Sequence, residues 1–325
     1  MTHDLLKHLK ANVCKEPIDL FLASLSFEKR CTSVVDALDN CQPNKSVVVF
    51  NEKLGNSVKQ ELPYFKEKLG VGCDFALIDG DNPLLTADSI LEAVSKSLPN
   101  HPARIVIDTT TFTRESLLIL LRFLYEVRNR ISRIEFLYAH AKEYSIGDKN
   151  EEKWLSKGIR EVRSVLGFPG DLLPSCDNHL VVLLGFEDER ALNLVRGFEP
   201  SVISLGVGDR GEFGTEPHQD VNDDRCEKLK SVLTSVNLFT FNAYDAFKAK
   251  SIIRQQIAKF PGLNAVIAPM NTKISTIGAG LVAIADTSIQ ICYAQPNIYN
   301  YERYSLPDND YYSFAIDNNF RPLDV

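Results

Sequence analysis

Asp108-Thr-Thr-Thr-Phe-Thr-Arg114 puts a carboxylate, four threonine hydroxyls and a guanidinium into one short run. Hydroxyls and helix amino-terminal amides suit phosphate or ribose oxygens, and arginine meets phosphate with a planar fork of donors. The apolar run Ile105–Ile107 before it reads as a strand, and Glu115–Leu124 after it as a long apolar helix. The cluster therefore falls at the carboxyl end of a strand, where open α/β sheets bind ligands. The competing reading is local: Asp and Thr also cap helices.

The same grammar appears twice more. Asp19-Leu-Phe-Leu-Ala-Ser-Leu-Ser-Phe-Glu-Lys-Arg30 is an apolar strand running into Phe-Glu and an arginine, and Asn178-His-Leu-Val-Val-Leu-Leu-Gly-Phe-Glu-Asp-Glu-Arg190 echoes it with one extra residue. Ala265-Val-Ile-Ala-Pro-Met-Asn-Thr-Lys273 parallels Ile105–Arg114, and Cys292-Tyr-Ala with Tyr299 parallels Leu137-Tyr-Ala with Tyr144. Three landmarks recur in order, displaced by about half of the 325-residue chain, which predicts an internal duplication.

The elements that must position these residues alternate. Strands are expected at 18–25, 46–50, 74–78, 105–107 and 133–138, with helices ending near Leu38, Leu69, Leu98 and Arg128. The second copy is expected to place strands at 179–184, 201–205, 238–241, 265–268 and from 292, with helices at 224–236 and 246–260. Strand–helix alternation predicts parallel sheets buried on both faces. The fold class is α/β: two tandem Rossmann-like units, each a mainly parallel sheet with helices on both faces. The units are expected at 1–147 and 177–325, the second ending in an aromatic tail with Tyr299, Tyr301, Tyr304, Tyr311 and Tyr312. Between them, 148–176 reads as a connecting helix and turn, because Leu155, Ile159, Val162 and Leu166 fall on one helical face. A homodimer contact is the alternative role for that segment.

Short right-handed crossovers favour the strand order 3-2-1-4-5, which reverses between strands 1 and 4. Their carboxyl ends carry Ser26, Glu28 and Arg30 with Asp108, Thr109, Thr111 and Arg114 in the first copy. In the second they carry Glu187 and Arg190 with Asn271, Thr272 and Lys273. Arg114 and Lys273 suit phosphate, and Phe27, Phe112 and Tyr144 offer rings to stack on a base or simply to fill the core. Glu28 and Glu187 can favour the following helix dipole or act as acid–base groups.

Other features exclude more than they suggest. A net charge of −7 argues against a general nucleic-acid binder. Seven scattered cysteines without a Cys-x-x-Cys spacing read as reduced and mostly buried, so no metal and no cofactor is called for. No apolar run is long enough for a bilayer, and the polar Met1–Lys10 reads as a short helix rather than a secretory signal, so a cytoplasmic location is expected. Gly206-Val-Gly-Asp-Arg-Gly211 matches Gly-x-Gly-x-x-Gly but lacks a following helix, and reads as a turn. The acidic stretch Asp209–Asp224 reads as a solvated loop. His140 sits just beyond the fifth strand without a visible serine or cysteine partner.

Asp108–Arg114 resembles the Asp-x-Thr-x-Gly-x-Lys/Arg signature of CRISPR-associated Rossmann-fold (CARF) sensor domains, with Phe112 at the glycine position. Two such units in one chain is similar to the SAVED domains of prokaryotic anti-phage signalling. The resemblance implies a sensor of cyclic oligonucleotides, with Ser26, Asp108, Thr109 and Arg114 in one site and Asn271, Thr272 and Lys273 in another. The second copy lacks the aspartate. A sensor of this kind would act through a separate effector protein. Two other readings stay open: an enzyme on a nucleotide or phosphorylated metabolite, using Asp108, Glu28 or His140, and a non-catalytic scaffold subunit.

Overall fold

The computed structural model describes residues 13–38, 41–51, 56–209 and 218–323, so the helix expected at Met1–Lys10 and the middle of the acidic stretch, 210–217, lie outside the described residues. The chain forms two compact units, one of Met1–Glu143 with Ser305–Val325 and one of Tyr144–Tyr304.

In the first unit, β1 (Leu20–Leu25), β2 (Lys45–Phe50), β3 (Cys73–Leu77), β4 (Ala103–Asp108) and β5 (Ile131–Tyr144) pair in the order 3-2-1-4-5. All four pairings are parallel. Every residue of β1 and β4 is buried, as a sheet covered on both faces requires. The crossovers are helical: α1 (Ser33–Ala37), α2 (Asn56–Leu69), α3 (Pro83–Ser97) and α4 (Arg114–Glu126). Local chemistry sets the helix starts. Asn82 accepts from the Leu84 and Leu85 amides with Pro83 in the first turn, and Thr113 accepts from the Ser116 amide.

The second unit repeats the plan. β8 (Asn178–Leu184), β9 (Val202–Asp209), β10 (Val236–Asn242), β11 (Asn264–Pro269) and β12 (Gln290–Gln295) take the same order, all parallel. α5 (Asp188–Phe198), α6 (Gln219–Val232), α7 (Ala246–Ala258) and α8 (Lys273–Ala285) lie between them. Thr272 caps α8 through the Ser275 amide, as Thr113 caps α4 through Ser116.

Four expectations change. The helix expected across 148–166 is absent; the segment forms β6 (Ser156–Lys157) and β7 (Glu161–Ser164). Gly158, at φ +66°, interrupts the helical spacing, and β7 pairs antiparallel with the open edge of β12. The aromatic tail is not part of the second unit beyond Tyr304: β14 (Ser305–Asp317) is hydrogen-bonded beside β5, and β15 (Pro322–Leu323) pairs with β14. β13 (Ile298–Tyr299) pairs with β6. Gly206 and Gly208 are strand residues of β9 rather than a turn: they pair with Phe239 and Phe241 of β10, and a Cβ at Gly206 would lie 2.5 Å from the Phe239 ring. Asp220, Asp223 and Asp224 are helical, in α6, not in a loop.

Gly185 follows β8 where α/β units turn into their helices. A Cβ there would sit 2.2 Å from the Met270 carbonyl oxygen, so Gly185→Ala forces the ends of β8 and β11 apart. The expected cost is at least about 1–3 kcal/mol, read as a lower Tm with unchanged far-ultraviolet circular dichroism.

Candidate functional site

At the carboxyl end of β1 the chain turns through Ser26 and Phe27 into Glu28 and Arg30, and the last two are almost fully buried. Burying a guanidinium is tolerable only when acceptors surround it. Arg30 Nη2 donates to Glu28 Oε2 at 2.6 Å and Nη1 to the Ala139 carbonyl at 2.9 Å. Its Nε donates to Ser305 Oγ at 3.1 Å, and that hydroxyl donates to Glu28 Oε2 at 2.8 Å. Strand 1, strand 5 and the returning C-terminal strand are thus joined at one side chain. Ser305 is 275 positions from Arg30, and no local pattern marks it.

The threonines beside this network are architectural. Thr109 Oγ1 donates to the Leu137 carbonyl at 2.9 Å, Thr110 Oγ1 accepts from the Ala139 amide at 2.9 Å, and Thr111 Oγ1 donates to the Ser24 carbonyl. Together they lace the turn after β4 to both neighbouring strands. Thr113 is the helix cap. Phe112 is core, 1% exposed. Arg114, half-buried, opens α4.

Asp108 differs. It is 1% exposed; Oδ1 accepts from the Thr110 amide at 3.0 Å, and Oδ2 has no hydrogen-bond partner. Burial pushes its carboxyl up to about 7, against the opposing pull of the Thr110 hydrogen bonds and the Arg30 charge. The same negative potential, after burial, helps raise Tyr311 of β14 to about 12, while the Tyr311 hydroxyl donates to the Ser33 carbonyl at 3.1 Å.

The second unit builds an analogous but looser set. Arg190 donates to the Ala294 carbonyl, the counterpart of Ala139, and through Nη1 to Ser156 Oγ at 2.9 Å. Ser156 donates to Glu187 Oε1 at 3.1 Å and so bridges a Glu187–Arg190 pair 3.9 Å apart. Glu187 Oε2 and Arg190 Nε are buried without a hydrogen-bond partner. Asn271 donates to the Leu184 carbonyl at 2.6 Å and Thr272 to the Ala243 carbonyl, so both hold the turn in place, with half-buried Lys273 opening α8.

Each predicted set is therefore brought together at its own strand ends. Ser26, Glu28, Arg30, Asp108, Thr109, Thr111 and Arg114 gather in the first unit, and Glu187, Arg190, Asn271, Thr272 and Lys273 in the second. Sequence reasoning missed Ser305, Ser156, Thr110 and Tyr311. His140 is buried with Nδ1 3.2 Å from Asp308 Oδ2. Tyr144 packs in the second unit against Phe186 and His218. Among the described residues no group of three or more His, Cys, Asp or Glu is placed to hold a metal ion, and no helix is long and apolar enough to cross a membrane.

The sequence matches no family model and no curated protein. Among solved structures, the cytoplasmic domain of a prokaryotic cation chloride cotransporter aligns over 88% of this chain and 99% of its own, at 8% identity and TM-score 0.29. The NADPH-bound carbonyl reductase from chicken fatty liver aligns over 86% and 91%, at 8% identity and TM-score 0.30. Similarity at that level carries no argument about ligand or activity, and the α/β assignment rests on the strand order itself.

Two outcomes follow from the geometry. Arg30→Ala leaves Glu28 buried beside a single hydroxyl and is expected to cost about 3–5 kcal/mol in chemical denaturation, with Arg30→Met/Glu28→Gln recovering part of the loss. For Asp108, the unfolded carboxyl titrates near 3.8 and the folded one at about 7. Below the lower value both states are protonated; between the two only the folded state keeps its proton, so this group's contribution to stability is lost as pH rises from 3.8 to about 7. Asp108→Asn removes that dependence. The Tm of the variant minus that of the parent is expected to grow more positive from about pH 4 to about pH 8, and a flat difference contradicts the assignment.

Proposed function

We propose that the chain is a nucleotide-binding regulatory protein that engages its ligand at the carboxyl ends of β1 and β4. In this reading it acts in a prokaryotic defence system through a separate effector. The observation that carries it is the unsatisfied Asp108 oxygen at the reversal of strand order, in a turn that ends at Arg114 in the first turn of α4. A carboxyl that holds its proton to about 7 can donate to a base or ribose oxygen, while Arg114 and the α4 amides suit a phosphate. Asp108 is sealed from solvent, so ligand entry displaces part of the turn or of β14. The shared strand order, the paired Glu–Arg–Ser sets and the matching Thr caps further support descent of both units from one duplicated α/β unit.

A second reading has an observation of its own. A buried carboxyl raised to about 7 is also the signature of a general acid–base, which favours an enzyme acting on a nucleotide or phosphorylated metabolite.

The test is a thermal-shift and calorimetry screen with cyclic di- to hexanucleotides, linear nucleotides and dinucleotide cofactors. A ligand at a hundred times its Kd adds roughly 2.7 kcal/mol, a shift of several degrees in a chain of this size. The shift is expected to vanish in Arg114→Ala and to weaken in Asp108→Asn. Turnover that Asp108→Asn abolishes selects the enzyme reading, and no shift with any nucleotide rejects the nucleotide-binding reading.

A further inference from the structure

α7 places its charges against the rules that stabilise a helix. Its sequence, Ala-Phe-Lys-Ala-Lys-Ser-Ile-Ile-Arg-Gln-Gln-Ile-Ala, holds Lys248, Lys250 and Arg254 and no carboxylate. The helix dipole disfavours cations in the amino-terminal half, and like charges four residues apart repel. Lys248 has a remedy, since it pairs with the capping Asp245 at 4.0 Å. Lys250 and Arg254 have none: among the described residues, neither has a hydrogen-bond or ion-pair partner. In a chain of net charge −7 this is not a shortage of carboxylates. Positions that break local rules in this way mark functional sites.

The inner side of the helix fixes it in place. Ala246, Ala249, Ile253 and Gln256 form its buried row. Gly278 of α8 allows the two helices to close, since a Cβ there would lie 2.7 Å from the Ala246 carbonyl oxygen and 3.0 Å from the Ala249 Cβ. On the other side, Phe247, Lys250, Ser251, Arg254, Gln255 and Ala258 recur at helical spacing and line an open cavity of about 400 Å³. Small-molecule sites run from roughly 300 to 1,000 Å³. The row presents two cations one turn apart, together with the Ser251 hydroxyl and the Gln255 amide, which donates to Ser251 Oγ at 3.5 Å. Burial, with the Arg254 charge, holds the Lys250 ammonium below the usual lysine range, and an anion seated between the two cations relieves that repulsion.

We propose that this face of α7 is a binding site for a small molecule that carries a diphosphate. Lys250 meets one phosphate as a point charge, and Arg254 meets the other with its planar fork of donors. Ser251 and Gln255 donate to remaining oxygens, and half-buried Phe247, at the amino-terminal end of the row, gives an apolar surface to the organic part. Size and charge select this class. The row spans only about 17 Å along the helix, and the net charge of −7 repels a long polyanion everywhere beyond it. The site lies in the second unit, on a different helix from Arg114, and it stands whether or not the Asp108 turn takes a nucleotide.

The probe is sodium pyrophosphate, titrated into the full chain at a fixed ionic strength of about 0.15 M and followed by calorimetry and phosphorus NMR, with sulfate as the reference anion. The expected result is one-to-one binding, tighter than sulfate, with affinity falling about tenfold or more in Lys250→Gln and in Arg254→Gln. Lys248→Gln, on the same helix but off the row, and Arg114→Ala keep the parent's affinity. Unliganded Arg254→Gln, at an exposed position, melts no lower than the parent, because it relieves a like-charge pair. No binding of pyrophosphate, equal binding of sulfate, equal weakening in Lys248→Gln, or loss in Arg114→Ala with Lys250→Gln unaffected overturns the proposal. The comparison of pyrophosphate with sulfate on the parent chain is decisive even if a variant fails to fold.

Discussion

A guanidinium buried in an α/β sheet must find acceptors on every side, and Arg30 finds them in its own turn and in two distant stretches of chain. Glu28 supplies the charge, the Ala139 carbonyl supplies strand 5, and Ser305 brings in the C-terminal strand. Desolvating both ions is costly, so the pair stabilises the fold only because its remaining donors are satisfied. Any rearrangement that withdraws Ser305 leaves Arg30 Nε with Glu28 alone. The return of the chain into the first unit is therefore tied to the fate of one buried charge.

That return is half of a reciprocal arrangement. The segment after β5 supplies β7, which pairs on β12, and the segment after β12 supplies β14, which lies beside β5. Each also supplies the serine, Ser156 or Ser305, that completes the Glu–Arg set of the unit it enters. The first unit cannot complete its sheet until the last residues of the chain are available, which raises the sequence separation of its contacts and slows its closure. The two sets differ in tightness: the hydrogen-bonded Glu28–Arg30 pair is direct, whereas Glu187 and Arg190 communicate through Ser156.

The polar run after β4 divides its labour along similar lines. Threonine hydroxyls that face backbone groups in a sheet interior are held by them, since an unmet carbonyl or amide there is expensive. Thr109, Thr110 and Thr111 are committed in that way and Thr113 to the helix start, which leaves Asp108 as the residue whose bonding is incomplete. A carboxyl in that position resists ionisation, and the resistance sets it apart from the surrounding frame.

The sequence by itself determined the five parallel strands of each unit, their crossovers and the 3-2-1-4-5 order, because parallel strands buried on both faces must read as continuous apolar runs joined by short right-handed helical connections. It also placed the Phe-Glu turns and the polar turns after the fourth strands at carboxyl ends of the same sheets, whereas the reach of Arg30 to the Ala139 carbonyl and of Arg190 to the Ala294 carbonyl was decided by the tertiary structure. Only the tertiary structure decided what 148–166 becomes. Its helical spacing was real, but a glycine in left-handed backbone and the open edge of β12 outweighed it. Tertiary structure alone also chose Ser305 and Ser156 as partners and carried Gly206 and Gly208 into a strand. Periodicity reports what a residue's neighbours along the chain demand. A hydroxyl or a sheet edge that arrives from far along the chain leaves no periodic trace, and burial then decides which of them each polar group must accept.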